Sequence, residues 1–339
     1  MVRKIFATGL VLLMSAAMVF AAGRAEGPAD DDTLRIGLLV KSLGNSFFEA
    51  ARDGAMEAAA ELGDVEVIYQ GPSTPTAEGQ IEIIDSLIAQ GVHGIAISSN
   101  DENALVPAAQ RAQRAGIEVI SFDSAVAADG RSIHLAPSDD ELIGRSQVQA
   151  IAEMIDYEGQ IAILSASSTA TNQNAWIEWM RTALEDPEYA NMELVDVVYG
   201  DDLSDQSYRE AVGLFNSYPN LRGIISPTTV GVAATARAIQ DEGLVGQVEL
   251  TGLGLPSEMS QYVQDGVSQN VALWNPIDLG YAAIYITYHL LRGNVEAEAG
   301  AVIPAGRIGD IRVGEGLVAV LGEPFVFDAS NIAEFADIY

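Results

Sequence analysis

The sequence predicts an α/β protein built as two doubly wound parallel-sheet lobes. Three observations carry this reading. Apolar strands alternate with amphipathic helices from residue 34 onward, the helices stop at glycines, and the alternation starts afresh near residue 161. The strand at 34–40, LRIGLLV, is apolar but for Arg35. Such a strand is buried on both faces, as in a parallel sheet covered by helices.

In the first lobe, strands are expected at 34–40, 65–69, 94–98, 118–122 and 132–135, with helices at 47–62, 77–90 and 103–115. Gly63, Gly91 and Gly116 mark the helix ends as left-handed C-caps. Connections of this length between parallel strands are right-handed crossovers. In the second lobe the strands fall at 161–165, 192–199, 223–226, 248–252 and 270–274. Helices at 142–157, 171–184, 206–217, 230–242 and 257–264 alternate with them, and 278–291 makes one more. The tail, 301–339, is glycine-rich with short strand-like pieces such as 317–321. Two successive series of this size suit two similar lobes better than one long sheet.

The chain has 339 residues, 49% of them hydrophobic and 19% charged, which is enough for two substantial cores. It opens on Met1-Val2-Arg3-Lys4, continues uncharged to Phe20 and ends that run on small residues. A basic start, a short apolar run and a small-residue end describe a signal peptide over 1–22. The apolar run is short for a membrane span, so the mature protein is expected to be exported, periplasmic or otherwise, and soluble after cleavage. Residues 23–33, GRAEGPADDDT, read as a flexible tether. With no cysteine in the chain there is no lipid-anchor site, disulfide or thiolate chemistry. The net charge of −31 repels nucleic acid and anionic lipid and reads as a solvated acidic coat.

In open parallel sheets, ligands lie outside the carboxyl ends of the strands. Lys41, the one lysine beyond the leader, follows the first strand, and Phe47 and Phe48 open the next helix. Asn100 and Asp101 follow the third strand, and Asp123 the fourth. The second lobe offers Asn172, Gln173 and Trp176, then Pro227 and Thr229, then Gly254, with Trp274 and Asn275 closing the set. Hydroxyls, amides, a few charges and aromatic rings suit a neutral polyol, whose hydroxyls need oriented partners and whose C–H face needs a platform.

Duller readings stand beside these. Asn103 and Thr171 also read as helix N-caps. One of Phe47 and Phe48 is expected to face the core; Trp179 reads as core, and Trp176 as either core or site. Enzyme signatures are poor, so no catalytic residue, cofactor or metal is expected. There is no P-loop, and the run 252–257, GLGLPS, lacks the third glycine of a dinucleotide fingerprint. His93, His134 and His289 have no ligand spacing. The pairs Asp139-Asp140 and Asp201-Asp202 read as solvated turns.

The segments IGLLVKSLGNSFF, GVHGIAISSND, IEVISFDS and NVALWNPIDLG, behind an export leader, resemble type I periplasmic sugar-binding proteins. The resemblance spans the mature chain. Within that class GPSTPTAEGQIEIIDSLIAQ, TATNQNAWIEWM, SPTTVGVAA and LWNPIDLG look most similar to rhamnose-binding proteins, with autoinducer-2-binding proteins next. The resemblance implies three crossovers, expected near 135–138, 275–277 and 307–312, and hence lobes of 34–135 plus 277–307 and 136–276 plus 308–339. It also implies a sugar held in the cleft by a monomer, a membrane permease of an ABC importer as partner, a chemoreceptor as a second one, and no nucleic acid.

In autoinducer-2 binders a lysine and an aromatic, an aspartate after the fourth strand, an Asp-Gln pair and a Pro-x-Ala hold the ligand. Here Lys41, Phe47 or Phe48, and Asp123 match, but the pair reads Asn172-Gln173 and the last motif Pro227-Thr228-Thr229. An amide in place of a carboxylate removes a charge-assisted acceptor, which weakens that assignment. Ribose-type binders carry an arginine after the fourth-strand aspartate and another at the position of Asn172. This chain has Ser124 and Asn172 there, a less charged site that fits a deoxy sugar such as L-rhamnose.

Overall fold

The computed structural model describes residues 32–339, so the expected leader and nearly all of the tether lie outside the described residues. Five parallel strands, β1 (Leu34–Leu39), β2 (Val65–Gln70), β3 (Gly94–Ile97), β4 (Glu118–Phe122) and β5 (His134–Ala136), form most of the first sheet. Helices α1 (Ser46–Leu62), α2 (Ala77–Ala89) and α3 (Val106–Arg114) connect them. Gly63 closes α1 at φ +79°, its N–H donating to the Ala59 carbonyl, the left-handed cap its position predicts.

The second sheet runs in the order β7-β6-β8-β9, all parallel, from β6 (Glu158–Ser165), β7 (Asn191–Tyr199), β8 (Leu221–Ser226) and β9 (Glu249–Gly252). Its helices are α4 (Asp140–Met154), α5 (Thr171–Leu184), α6 (Ser204–Ser217), α7 (Thr229–Asp241) and α8 (Pro256–Gln264). Each sheet with its helices is called a lobe below.

Strand β10 (Asn270–Leu273) leads into α9 (Pro276–Leu291), which lies against α1 of the first lobe. The two helices pass backbone to backbone. A Cβ at Gly54 would stand 1.8 Å from the Ile277 carbonyl oxygen, and one at Gly280 1.8 Å from that of Ala51. Only glycine permits this approach, and it locks the start of α1, which carries Phe47 and Phe48, beside the start of α9, which follows Trp274.

The tail departs from expectation. After the hairpin of β11 (Val302–Pro304) and β12 (Asp310–Arg312), β13 (Val318–Val320) pairs in parallel with β5 at the edge of the first sheet. The order there is β13-β5-β4-β3-β1-β2. The chain therefore stays with the first lobe to residue 320, and its last passage is at 321–324, not 307–312. The physical reason is that β5 would otherwise leave an open edge. Arg307 is anchored to the first lobe and α9: it bonds Glu57 and Asp278 and lies 4.5 Å over the Tyr281 ring. Beyond that passage β14 (Phe325–Asp328) pairs antiparallel with β10, and α10 (Ile332–Phe335) packs on α8.

Candidate ligand-binding cleft

The ends of β1, β3 and β4 face the starts of α5 and α7 and the loop after β7. Lys41 follows β1 directly and is only 3% exposed, unusual for a lysine. Its Nζ crosses to the second lobe and donates to Asn172 Oδ1 at 2.9 Å and to Gln173 Oε1 at 3.3 Å. Asn172 in turn donates from Nδ2 to Asp123 Oδ1 at 3.1 Å. One amide thus joins a cation and a carboxylate of the opposite lobe.

Asp123, the residue just past β4, adopts φ +57° and accepts the Ser98 hydroxyl at 2.6 Å. Burial pushes its pKa above the ordinary carboxylate range; Lys41, Ser98 and Asn172 pull it back, and Asp202 pushes it further up. Asp202 is raised for the same leading reason, burial, opposed by Lys41 and by the Thr228 hydroxyl that it accepts.

The apolar wall is a chain of four rings. Phe48 meets Phe47 edge-on at 5.2 Å, Phe47 meets Trp274 at 6.2 Å, and Trp274 meets Trp176 at 5.7 Å. Trp176 is tethered by its Nε1–H to Asp140 Oδ1 at 2.7 Å. The Trp274 Nε1–H has no partner among the described residues. Leu253 and Leu273 complete this side, with Pro227, Thr228 and Thr229 on the second lobe. Between them lies a cavity of about 30 Å³ for the centre of a water-sized sphere, narrow because Lys41 spans it.

The structure thus brings Lys41, Phe47, Phe48, Asp123, Asn172, Gln173, Trp176, Pro227, Thr229 and Trp274 to one cleft. Four expected residues do other work. Asn100 lies behind the wall, its side chain donating to the Lys41 and Thr76 carbonyls, so it holds the lysine's backbone and not a ligand. Asp101 Oδ1 accepts the N–H groups of Asn103 and Ala104, capping the turn before α3. Gly254 donates its N–H to Ala272 and faces Met259 and Val271 in the core. Asn275 caps α9, accepting from the N–H groups of Ile277 and Asp278.

Five lining residues, Asn45, Asp202, Thr228, Leu253 and Leu273, were not among the expected contacts. The reading of Asp201-Asp202 as solvated fails for Asp202, which lines the cleft, whereas Asp139 and Asp140 are both exposed, as expected. Asp139 caps α4 at Leu142 while Asp140 holds Trp176. Trp179 is half-buried beside Arg145, not core. The strand-end rule applied to Gly200 would have found Asp202, because β7 ends at Tyr199.

Residues 36–294 match the family described as periplasmic binding protein domain. The chain belongs to this family. Among solved structures it is similar to an ABC transporter solute-binding protein from Clostridium phytofermentas with bound L-rhamnose. The two are 38% identical with a TM-score of 0.87, covering 91% of this chain and 99% of that one. LsrB from Clostridium saccharobutylicum, in complex with AI-2, shares the fold: 24% identity, TM-score 0.85, covering 89% and 99%. Among curated proteins, the D-ribose/D-allose-binding protein of Pseudomonas aeruginosa is 25% identical over 271 residues, 78% of this chain and 83% of its own length. These members of the family are named for binding, not for catalysis. Among the described residues no helix is long and apolar enough to cross a membrane, and no group of three or more His, Cys, Asp or Glu residues is placed to hold a metal ion.

Proposed function

We propose that this protein is the exported solute-binding component of an ABC-type sugar importer, and that its ligand is a deoxyhexose, L-rhamnose first. It works as a monomer that captures the sugar between its lobes and hands it to the membrane permease. The observation that carries the reading is the pairing of Lys41 and Asp123 on one lobe with Asn172 and Gln173 on the other, beside a wall of four aromatic rings. Every crossing bond is one that a sugar hydroxyl can enter, since hydroxyls both donate and accept. A ligand exchanges the lysine–amide bonds for its own and, by touching both lobes, favours the closed arrangement. The aromatic wall suits the methyl group and C–H face of a 6-deoxy sugar. The 38% identity over 91% of the chain with a rhamnose-bound protein supports the same choice.

A second reading, uptake or sensing of autoinducer-2 with a chemoreceptor as partner, draws on the Lys41, Asp123 and Gln173 set. Asn172 speaks against it. Its Nδ2–H donates to Asp123, a bond that a carboxylate at this position could not make.

Calorimetric titration of ligand-stripped protein tests the reading. Saturable heat is expected with L-rhamnose, and about 10–100-fold weaker binding of L-mannose, whose added hydroxyl meets the apolar wall. Absence of heat and of competition by L-rhamnose would sink it, and tighter binding of the furanosyl signal would favour the second reading.

A further inference from the structure

The turn after β7 presents a second carboxylate to the cleft. Gly200 N–H donates to Ser165 O at 2.9 Å and Asp201 N–H to Ala166 O at 2.8 Å, pinning the turn to the end of β6. Asp201 and Asp202 both adopt left-handed backbone, φ +51° and +50°. Aspartate tolerates that region better than most residues, and what matters here is where the turn sends the two side chains. The two carboxylates then part company. That of Asp201 turns away from the cleft to Gln206 Nε2 at 2.8 Å. That of Asp202 turns inward, accepts the Thr228 hydroxyl and lines the same cavity as Lys41 and Asp123. Asp202 and Asn45 also line a neighbouring, wider cavity of about 520 Å³. A second carboxylate lining a cavity that holds a single ammonium is a poor way to stabilise a fold, so its place here calls for a role in binding.

We infer that Asp202 is the ligand-contacting carboxylate of the second lobe and that, opposite Asp123, it confines the cleft to uncharged polyols and rejects sugar acids and sugar phosphates. The inference rests on the sugar-binding reading above and names the class of ligand it admits. Two carboxylates already line the cavity with Lys41, its one cation among the described residues, so an anionic sugar adds a further negative charge beside them. An uncharged sugar meets instead two acceptors on opposite walls and one donor between them, a set that grips hydroxyls from both sides.

The test titrates ligand-stripped wild type, Asp202→Asn, Asp202→Ser and Asp201→Asn with L-rhamnose, and challenges wild type with L-rhamnonate and D-galacturonate. Both Asp202 variants should bind L-rhamnose at least tenfold more weakly while the free proteins melt no lower than wild type. Asp201→Asn should stay within twofold, and neither acid should compete at a thousandfold excess. Unchanged affinity in the Asp202 variants, a loss confined to variants that melt early, or an acid that competes on a par with the sugar overturns this inference alone. A wild type that binds no uncharged sugar overturns the sugar-binding reading, and this inference with it.

Discussion

The two walls of the cleft solve one problem in parallel and differ in what else they do. Each presents a carboxylate from a left-handed aspartate just beyond a parallel strand, Asp123 after β4 and Asp202 after β7. Asp123 has a partner in each lobe, Ser98 in its own and Asn172 in the other. Among the described residues, Asp202 bonds only within its own lobe, to Thr228. The first-lobe carboxylate therefore bridges the lobes, while the second is free to serve a ligand without holding them together. The cation follows the same asymmetry. Lys41 belongs to the first wall, and the second answers it with neutral amides.

Removing the cation tests this contrast most severely. Lys41→Ala should lower L-rhamnose affinity at least tenfold, about 1.4 kcal/mol, with the fold intact. It also deprives both aspartates of the charge that holds their pKa values down, so the loss should grow as the pH is lowered. Calorimetry at two pH values, with thermal melts of the free protein, reads both effects. An unchanged affinity would leave Lys41 as an interlobe tie only.

Asp123→Asn separates binding from stability. Because burial raises the folded-state pKa of Asp123, its favourable contribution is full below the unfolded value of about 3.9 and is lost as pH rises through the folded value. At neutral pH the ionised group is a net cost, and the amide should melt no lower than wild type. Affinity should nevertheless fall about tenfold, since a charge-assisted acceptor is gone. In the wild type, affinity should decline on acidification from a pH above the ordinary carboxylate range. A melting temperature several degrees lower for Asp123→Asn would mean that the carboxylate is a structural brace.

The aromatic wall gives a smaller and optically visible effect. Trp176 and Trp274 line the cleft and Trp179 does not. Sugar binding should therefore change intrinsic fluorescence in Trp179→Phe as in wild type, and less in Trp274→Phe. Trp274→Phe keeps a ring but loses the unpartnered N–H, and should weaken binding about threefold to tenfold, the range of one hydrogen bond. A full response in Trp274→Phe would assign the signal to Trp176.

Much of this was legible from residue order because strand ends in parallel sheets sit where ligands bind. Asp123 stood out at the end of the apolar run IEVISF, and Lys41 at the end of LRIGLLV. The same rule points to the turn after Tyr199, but Gly200-Asp201-Asp202 gives no sign of which carboxylate faces the cleft until the fold turns one in and the other out. Asn100 and Asn275 have the right chemistry in the right loops, but nearer backbone groups claim their amides, and side-chain partners of that kind depend on tertiary geometry. The third crossover was misplaced because β13 is three residues long and pairs with a strand far away in sequence. Short strands of that sort carry almost no periodic signal.

The smallest expected effect lies at the rim, where the lobes touch away from the rings. Ser46, exposed at the start of α1, donates its hydroxyl to Glu258 Oε1 on α8 at 2.7 Å. Burial raises the Glu258 pKa, and the Ser46 bond opposes that rise. Ser46→Ala removes a tie between lobes that touches none of the four rings, so only the closing equilibrium should respond. The exposed position of the donor limits the effect to about twofold to threefold in affinity, near the lower end of what one hydrogen bond contributes. Without the hydroxyl, Glu258 should protonate at a higher pH, so what remains of the affinity difference between variant and wild type should change on acidification toward that pKa. Calorimetry of the variant across that range reads the difference directly. A loss as large as that of Lys41→Ala would move the control of closure from the floor of the cleft to its rim.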